Sequence, residues 1–99
     1  ILDPPSRTVV PGRRWFAKTD YGRLVMHALK VAGPGCLIVA CGSCHSSGPE
    51  KMESQIRSAA RDAGRRFRVL GSHSLPVDHP TQMIHPQARY LKAYLLLVD

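Results

Sequence analysis

The sequence predicts a small α/β domain with a mixed sheet, and three observations carry that prediction. An uninterrupted apolar run, Cys36 to Cys41 (CLIVAC), has the pattern of a strand buried on both faces. It lies between two segments whose apolar residues recur at helical spacing. Beyond the second of these, Arg65 to Leu70 alternates, with Phe67 and Val69 on one face and Arg66 and Arg68 on the other, as a half-buried strand does.

Residues 1–18 read as an extended basic arm. Pro4, Pro5 and Pro11 forbid a helix, while Arg7, Arg13, Arg14 and Lys18 interleave with Val9, Val10, Trp15 and Phe16. That mixture suits a segment lying along phosphates, with Trp15 stacking on a base or anchoring the arm. Thr19 or Asp20 caps the first helix, where Tyr21, Leu24, Val25, Ala28, Leu29 and Ala32 share a face and Gly33-Pro34-Gly35 ends it. Ser47-Gly48-Pro49-Glu50 has the form of a capping box opening the second helix. Its buried stripe is Met52, Ile56, Ala59, Ala60 and Ala63, Glu53 and Arg57 form an i,i+4 pair, and Gly64 is the stop. Strand, helix and strand then make a βαβ unit with a right-handed crossover. The stretch 71–86 reads as loop, with His73, His79 and His85 among its prolines, and the segment 88–98 supplies a last strand. Residues 19–99 are thus expected to form one α/β domain behind the arm.

Hydrophobic residues make up 43% of the 99, which excludes a disordered chain. Fourteen Lys and Arg against seven Asp and Glu leave a net charge of +7, mostly arginine, and this favours an anionic polymer as partner. Three cysteines cannot pair completely, so a reducing compartment is the default. No apolar run reaches the ~18–20 residues of a membrane span. A chain beginning at Ile1 suggests a processed product or the ordered part of something longer.

The junction from Cys36 to Gly48 holds most of the chemistry, because ligands collect where a strand ends and a helix begins. Cys41-Gly42-Ser43-Cys44-His45 admits several readings. As a redox dithiol, Cys41 and Cys44 lie too far ahead of the helix for its dipole to act strongly, and Ala40 stands where an aromatic is usual. As a haem-attachment motif it lacks a helical setting. As a zinc site it draws on Cys41 and Cys44 with two of His73, His79 and His85, at the edge of ligand spacing. As a nucleophile, Cys44 beside His45 has no evident orienting carboxylate. The reading left is anion recognition, with the hydroxyls of Ser46 and Ser47 and free amides meeting an RNA phosphate. There is no GxxxxGK[ST], so nucleotide triphosphate hydrolysis is not supported.

Over residues 20–99, the order of these features resembles a family of mitochondrial ribosomal proteins related to a small accessory subunit of respiratory complex I. The resemblance is carried by Tyr21-Gly22-Arg23-Leu24-Val25, by Ser46-Ser47-Gly48 opening the long helix, and by His85-Pro86 with Tyr90 before the last strand. It departs at Cys44-His45, where the family has a glycine pair, and in the longer loop 71–84. The resemblance implies a thioredoxin-like α/β sandwich. A weaker one is to ribosomal proteins that bind RNA kink-turns, with Gly42-Ser43-Cys44-His45 at the turn that opens the second helix. Both imply a non-enzymatic, RNA-binding structural component of a ribosome, the first of a mitochondrial one in the matrix (otherwise cytoplasmic). A thiol-disulfide protein using Cys41 and Cys44 is the alternative. The expected partners are ribosomal RNA and neighbouring ribosomal proteins, with no membrane, cofactor or small-molecule substrate. RNA contacts fall to Arg7, Arg13, Arg14, Trp15, Lys18, Ser46 and Ser47, and to a second surface of Arg57, Arg61, Arg65, Arg66 and Arg68.

Overall fold

A computed structural model describes residues 1–84, 88 and 90–99. The elements run β1 (Arg7–Val10), β2 (Arg13–Phe16), α1 (Ala17–Val31), β3 (Leu37–Gly42), α2 (Pro49–Ala63), β4 (Phe67–His73) and β5 (Lys92–Val98). The expected α/β class is what forms, but the mixed sheet is not: every pairing between the described strands is antiparallel, and the parallel contact is a single bridge, Leu2 to Ala40. His85-Pro86, part of both the zinc reading and the family resemblance, lies outside the described residues.

The segment expected as an extended arm holds an antiparallel hairpin, pairing Val10 with Arg13 and Arg7 with Phe16. Pro11-Gly12 makes its turn, and Gly12 takes φ +77°, a conformation open to glycine. Ahead of the hairpin, Leu2 runs parallel to β3, donating to the Val39 carbonyl and accepting from the Cys41 amide, both at 2.8 Å.

The first helix begins earlier than Thr19, at Ala17. Phe16 is its N-cap, and Asp20 reaches back to accept the Phe16 amide at 2.8 Å, the returning half of a capping box. In α2 the Ser47 capping box does not form. Gly48 is the N-cap and makes no side-chain cap bond, because Ser47 is buried and turned to another use described below. Gly64, at φ +62°, ends α2 as expected.

The sheet order is β3-β5-β4, with β5 antiparallel to both neighbours. β3, α2 and β4 therefore run as a crossover between like-directed strands, but β5 lies between them instead of leaving them adjacent. Both helices cover one face. Tyr21, Val25 and Leu29 of α1 meet Met52 and Ile56 of α2 over Ile38, Ala40, Tyr94, Leu96 and Val98. β3 is not buried on both faces, since Leu37, Val39 and Cys41 on its far side stay exposed or half-buried. Edge strand β4 leaves Val69 largely exposed, so its expected buried face is only partly covered.

Gln55 ties the helices together. Its side-chain oxygen accepts the Gly22 amide at 3.0 Å, and its Nε2 donates to the carbonyls of Ala17 (3.2 Å) and Lys18 (3.4 Å). Any side chain at position 22 would place Cβ 3.2 Å from the Gln55 carbonyl oxygen, so glycine permits this close crossing.

Candidate active site

A single parallel bridge, Leu2 to Ala40, sets the chain at Leu2 beside the end of β3. From Leu2 the chain leaves as Asp3-Pro4-Pro5-Ser6, from β3 as Ser43-Cys44-His45-Ser46-Ser47. The carboxyl end of a strand is where open α/β sheets bind ligands. The hairpin and the start of α1 close over this edge. Trp15 Nε1 donates to the Pro5 carbonyl at 2.9 Å, and the Ala17 amide to the Ser6 carbonyl at 2.9 Å.

These pieces enclose a cavity of about 250 Å³ lined by Ser6, Arg7, Phe16, Lys18, Thr19, Cys44 and Ser46. It is smaller than the ~300–1,000 Å³ clefts of drug-sized ligands, a scale suited to one planar ring. Cys44 is buried, and its sulfur lies 3.3 Å from the Ser46 hydroxyl. Arg7 and Lys18 bring positive charge to the same cavity, and Phe16 an aromatic face.

The two cysteines of the motif differ in kind. Burial raises the Cys41 thiol pKa, the Asp3 carboxylate raises it further, and the neutral thiol is favoured. Tyr21 donates to the Cys41 carbonyl at 2.8 Å, and its own phenol is pushed up, first by burial and then by Cys41 and Asp3. All three cysteines are free. Cys41 therefore lacks the low-pKa thiolate that dithiol exchange requires.

Lys92 is the polar group that sequence reasoning missed. It is 6% exposed, and its ammonium donates to the Cys44 carbonyl at 2.7 Å and to the Ser47 carbonyl. Burial lowers its pKa and the neighbouring Cys44 raises it, burial being the larger influence. One signal for it existed. Lys92, Tyr94, Leu96 and Val98 fall on one face of an alternating strand, so an ammonium had to lie in the core. Ser6, Phe16 and Thr19 also line the cavity without having been singled out.

The other expected site residues divide. Arg7, Lys18 and Ser46 gather at the cavity, and Arg13 and Arg14 stand exposed on the hairpin, which Trp15 anchors. Ser47 is buried and lines a different cavity, with His45, Tyr90 and Lys92. Of the second basic surface, Arg57 pairs with Glu53 at 3.6 Å, Arg68 with Asp99 at 3.0 Å, and Arg65 donates to the Leu29 carbonyl at 3.2 Å. Arg61 and Arg66 are exposed beside them. The zinc set does not assemble: among the described residues no group of three or more His, Cys, Asp and Glu is arranged around a metal position. His79 instead meets the Tyr90 ring edge-on, at 6.4 Å, and His73 lines a separate cavity beyond the loop.

No family model matches this chain. It is 35% identical over 99 residues to a ribosomal RNA large subunit methyltransferase of Deinococcus radiodurans. It is 30% identical over 96 residues to a Bacillus subtilis protein also named for ribosomal RNA large subunit methyltransferase activity. These alignments take in 100% and 97% of this chain but 24% of each relative, so the chain spans about a quarter of the length of the curated relatives it matches. A solved structure of a protein described as a methyltransferase, complexed with SAH, superposes with a TM-score of 0.87 at 22% identity, covering 98% of this chain and 25% of that one. The fold is thus one found within methyltransferases.

These likenesses overturn the expectation of a non-enzymatic ribosomal component and, with it, the resemblance to mitochondrial ribosomal proteins of thioredoxin-like fold. The kink-turn and thiol-disulfide alternatives fall on the same finding. The relatives carry the names of enzymes that modify ribosomal RNA rather than of proteins that build the ribosome. The sequence resemblance misled because its motifs are two or three residues long: Gly22-Arg23 lies inside α1 and Ser46-Ser47-Gly48 just ahead of α2, placements that unrelated α/β folds share.

Proposed function

We propose that this chain forms the acceptor side of the active site of a ribosomal RNA methyltransferase. It holds one base of the RNA in the cavity between the hairpin and the Cys44 loop. The observation that carries this reading is a buried thiol lining a ring-sized cavity, beyond the end of β3 where Leu2 bridges to it. An enzyme that methylates a base takes it out of the stack, and such a base needs an aromatic or apolar wall with polar groups at its edges. Phe16 supplies the wall, Ser6, Thr19 and Ser46 the polar edge, and Arg7 and Lys18 face the phosphates. The exposed Arg13 and Arg14 extend that charge along the hairpin.

The solved neighbour binds SAH, the product of a sulfonium methyl donor. One residue here suits such a donor: Asp3, which does not line the base cavity, sets an exposed carboxylate beside the end of β3 that would attract a cationic sulfonium. When bound, the donor supplies an electrophilic methyl group. Ring nitrogens and hydroxyls accept a methyl without covalent help, whereas a pyrimidine ring carbon does not. A thiol in the base cavity therefore points to carbon. The Cys44 thiol gives its proton to solvent water, its sulfur bonds to C6 of a pyrimidine, and the C5–C6 electron pair makes C5 nucleophilic. Once C5 has taken the methyl group and given its own proton to water, the C5–C6 double bond re-forms, the sulfur–C6 bond breaks and the thiolate leaves. The Ser46 hydroxyl, 3.3 Å from the sulfur, donates to it while it is anionic.

The test is methylation of ribosomal RNA by the complete natural protein, with nucleoside mass spectrometry of the product. The expected product is a 5-methylpyrimidine, and Cys44→Ala is expected to lose about 10⁴-fold or more in rate, the scale for removing a covalent nucleophile. Wild-type rates from Cys44→Ala would overturn the reading.

A further inference from the structure

We propose that Lys92 is a positioning residue for the Cys44 loop, fixing from beneath the turn that carries the thiol. The inference rests on the reading of Cys44 as nucleophile but is tested separately from it.

Residues 44–47 form a tight turn, closed by the Ser47 amide donating to the Cys44 carbonyl at 3.4 Å, a long bond. Lys92 donates to the carbonyls at both ends of the same turn, Cys44 and Ser47. One buried ammonium thus holds the two ends together where the turn's own hydrogen bond is weak. Its charge-assisted bonds are stronger than neutral ones and hold both carbonyls toward the buried ammonium.

The chemistry of the site also argues against a purely structural role. Lysine is among the residues least often buried, and desolvation outweighs the neighbouring thiol in moving its pKa, so keeping the ammonium charged here costs stability. An apolar side chain of the same length would fill the space without that cost. On α2 the Glu53 carboxylate serves another partner, accepting the Tyr94 hydroxyl at 2.8 Å, and Glu50 acts on the same phenol. Cys44 acts on Lys92 electrostatically. A costly charge directed at one loop and coupled to one thiol matches a site shaped for reactivity.

The test compares the complete natural protein with Lys92→Met, each assayed well below its own Tm so that unfolding does not enter. Three quantities are read: RNA Kd, kcat for methyl transfer, and the iodoacetamide alkylation rate of Cys44, resolved by peptide mass spectrometry with Cys36 as internal reference. Lys92→Met should leave Kd within about twofold and lower kcat about 100-fold, the scale of a misplacement near 1 Å. Cys44 alkylation should change about tenfold or more as the turn that carries the buried thiol is released. An unchanged kcat, or an alkylation rate that holds, overturns the inference. Alkylation needs no methyl transfer, so if Cys44→Ala proves active and the proposed chemistry falls, the effect of Lys92 on the thiol is still decided.

Discussion

Replacing Gln55 by alanine tests whether the floor of α1 is held where the cavity needs it. Gln55 bonds the Gly22 amide at 3.0 Å and the Ala17 carbonyl at 3.2 Å in part-buried surroundings, with a longer, exposed bond to the Lys18 carbonyl at 3.4 Å. Two part-buried bonds at about 1 kcal/mol net each, with the exposed third near zero, give a loss of about 2 kcal/mol. The alanine also leaves the Gly22 amide facing α2 without that acceptor, which moves the figure up rather than down. Equilibrium urea unfolding reads the total, and hydrogen exchange at the Gly22 amide reads the local part. Gln55→Glu separates the two ends of the clamp. It keeps an acceptor for Gly22 but faces an anion toward the carbonyls of Ala17 and Lys18, so it should lose at least 1 kcal/mol while Gly22 stays protected. A loss below about 0.5 kcal/mol for Gln55→Ala, with Gly22 exchange unchanged, would refute the clamp.

Two further outcomes follow from burial and charge. Leu96 is fully buried on the central strand β5, so Leu96→Ala should cost about 2–5 kcal/mol in unfolding free energy, whereas Leu97, on the half-covered face, should cost less. The Tyr94 phenol is pushed up to about 12 by burial first and then by its bond to Glu53. Ultraviolet titration should find one tyrosine ionising near that value. Its folded pKa lies above the unfolded one, so the stability it contributes is present below about pH 10 and is lost as pH rises toward 12. Ionisation of Tyr94 near pH 10 would contradict that environment.

Much of this fold was legible because local pattern and tertiary role agree. Both helices and the β3 and β5 strands follow from apolar spacing, and Gly64 ends α2 for the reason glycine usually does. The hairpin was hidden by its own turn. Pro11 was read as a helix breaker, although Pro-Gly between two runs rich in Arg, Val and aromatics is equally a turn between strands. The expected cap at Ser47 failed for a reason no local rule contains: Lys92, 45 residues away, takes the Ser47 carbonyl, and the residue is buried. The site was half legible. The strand-exit loop was singled out, but Cys44 was set aside there as a nucleophile for want of an orienting carboxylate, and the bridge at Leu2 passed unnoticed because one residue of pairing leaves no periodicity. Charge pointed correctly toward RNA as the subject of the relatives' names, and could not say whether RNA is scaffold or substrate.

The direction of β5 links the fold to the site. A parallel strand between β3 and β4 would begin at their amino ends, far from the chemistry. Because β5 is antiparallel, its first residue, Lys92, pairs with the last residue of β3, Gly42, and so arrives where the chain turns out toward Cys44. The same reversal places Tyr94 opposite Ala40, one step deeper, where its hydroxyl reaches Glu53 of α2. A side chain at the start of β5 therefore reaches under the loop from a strand hydrogen-bonded on both sides, and its position is set by the sheet rather than by the loop it supports. That is the condition for aiming a thiol from an irregular segment: the loop supplies the reactive group, and a rigid element behind it supplies the precision. The antiparallel insertion, which looks like an interruption of the crossover, is what makes Lys92 available to the site.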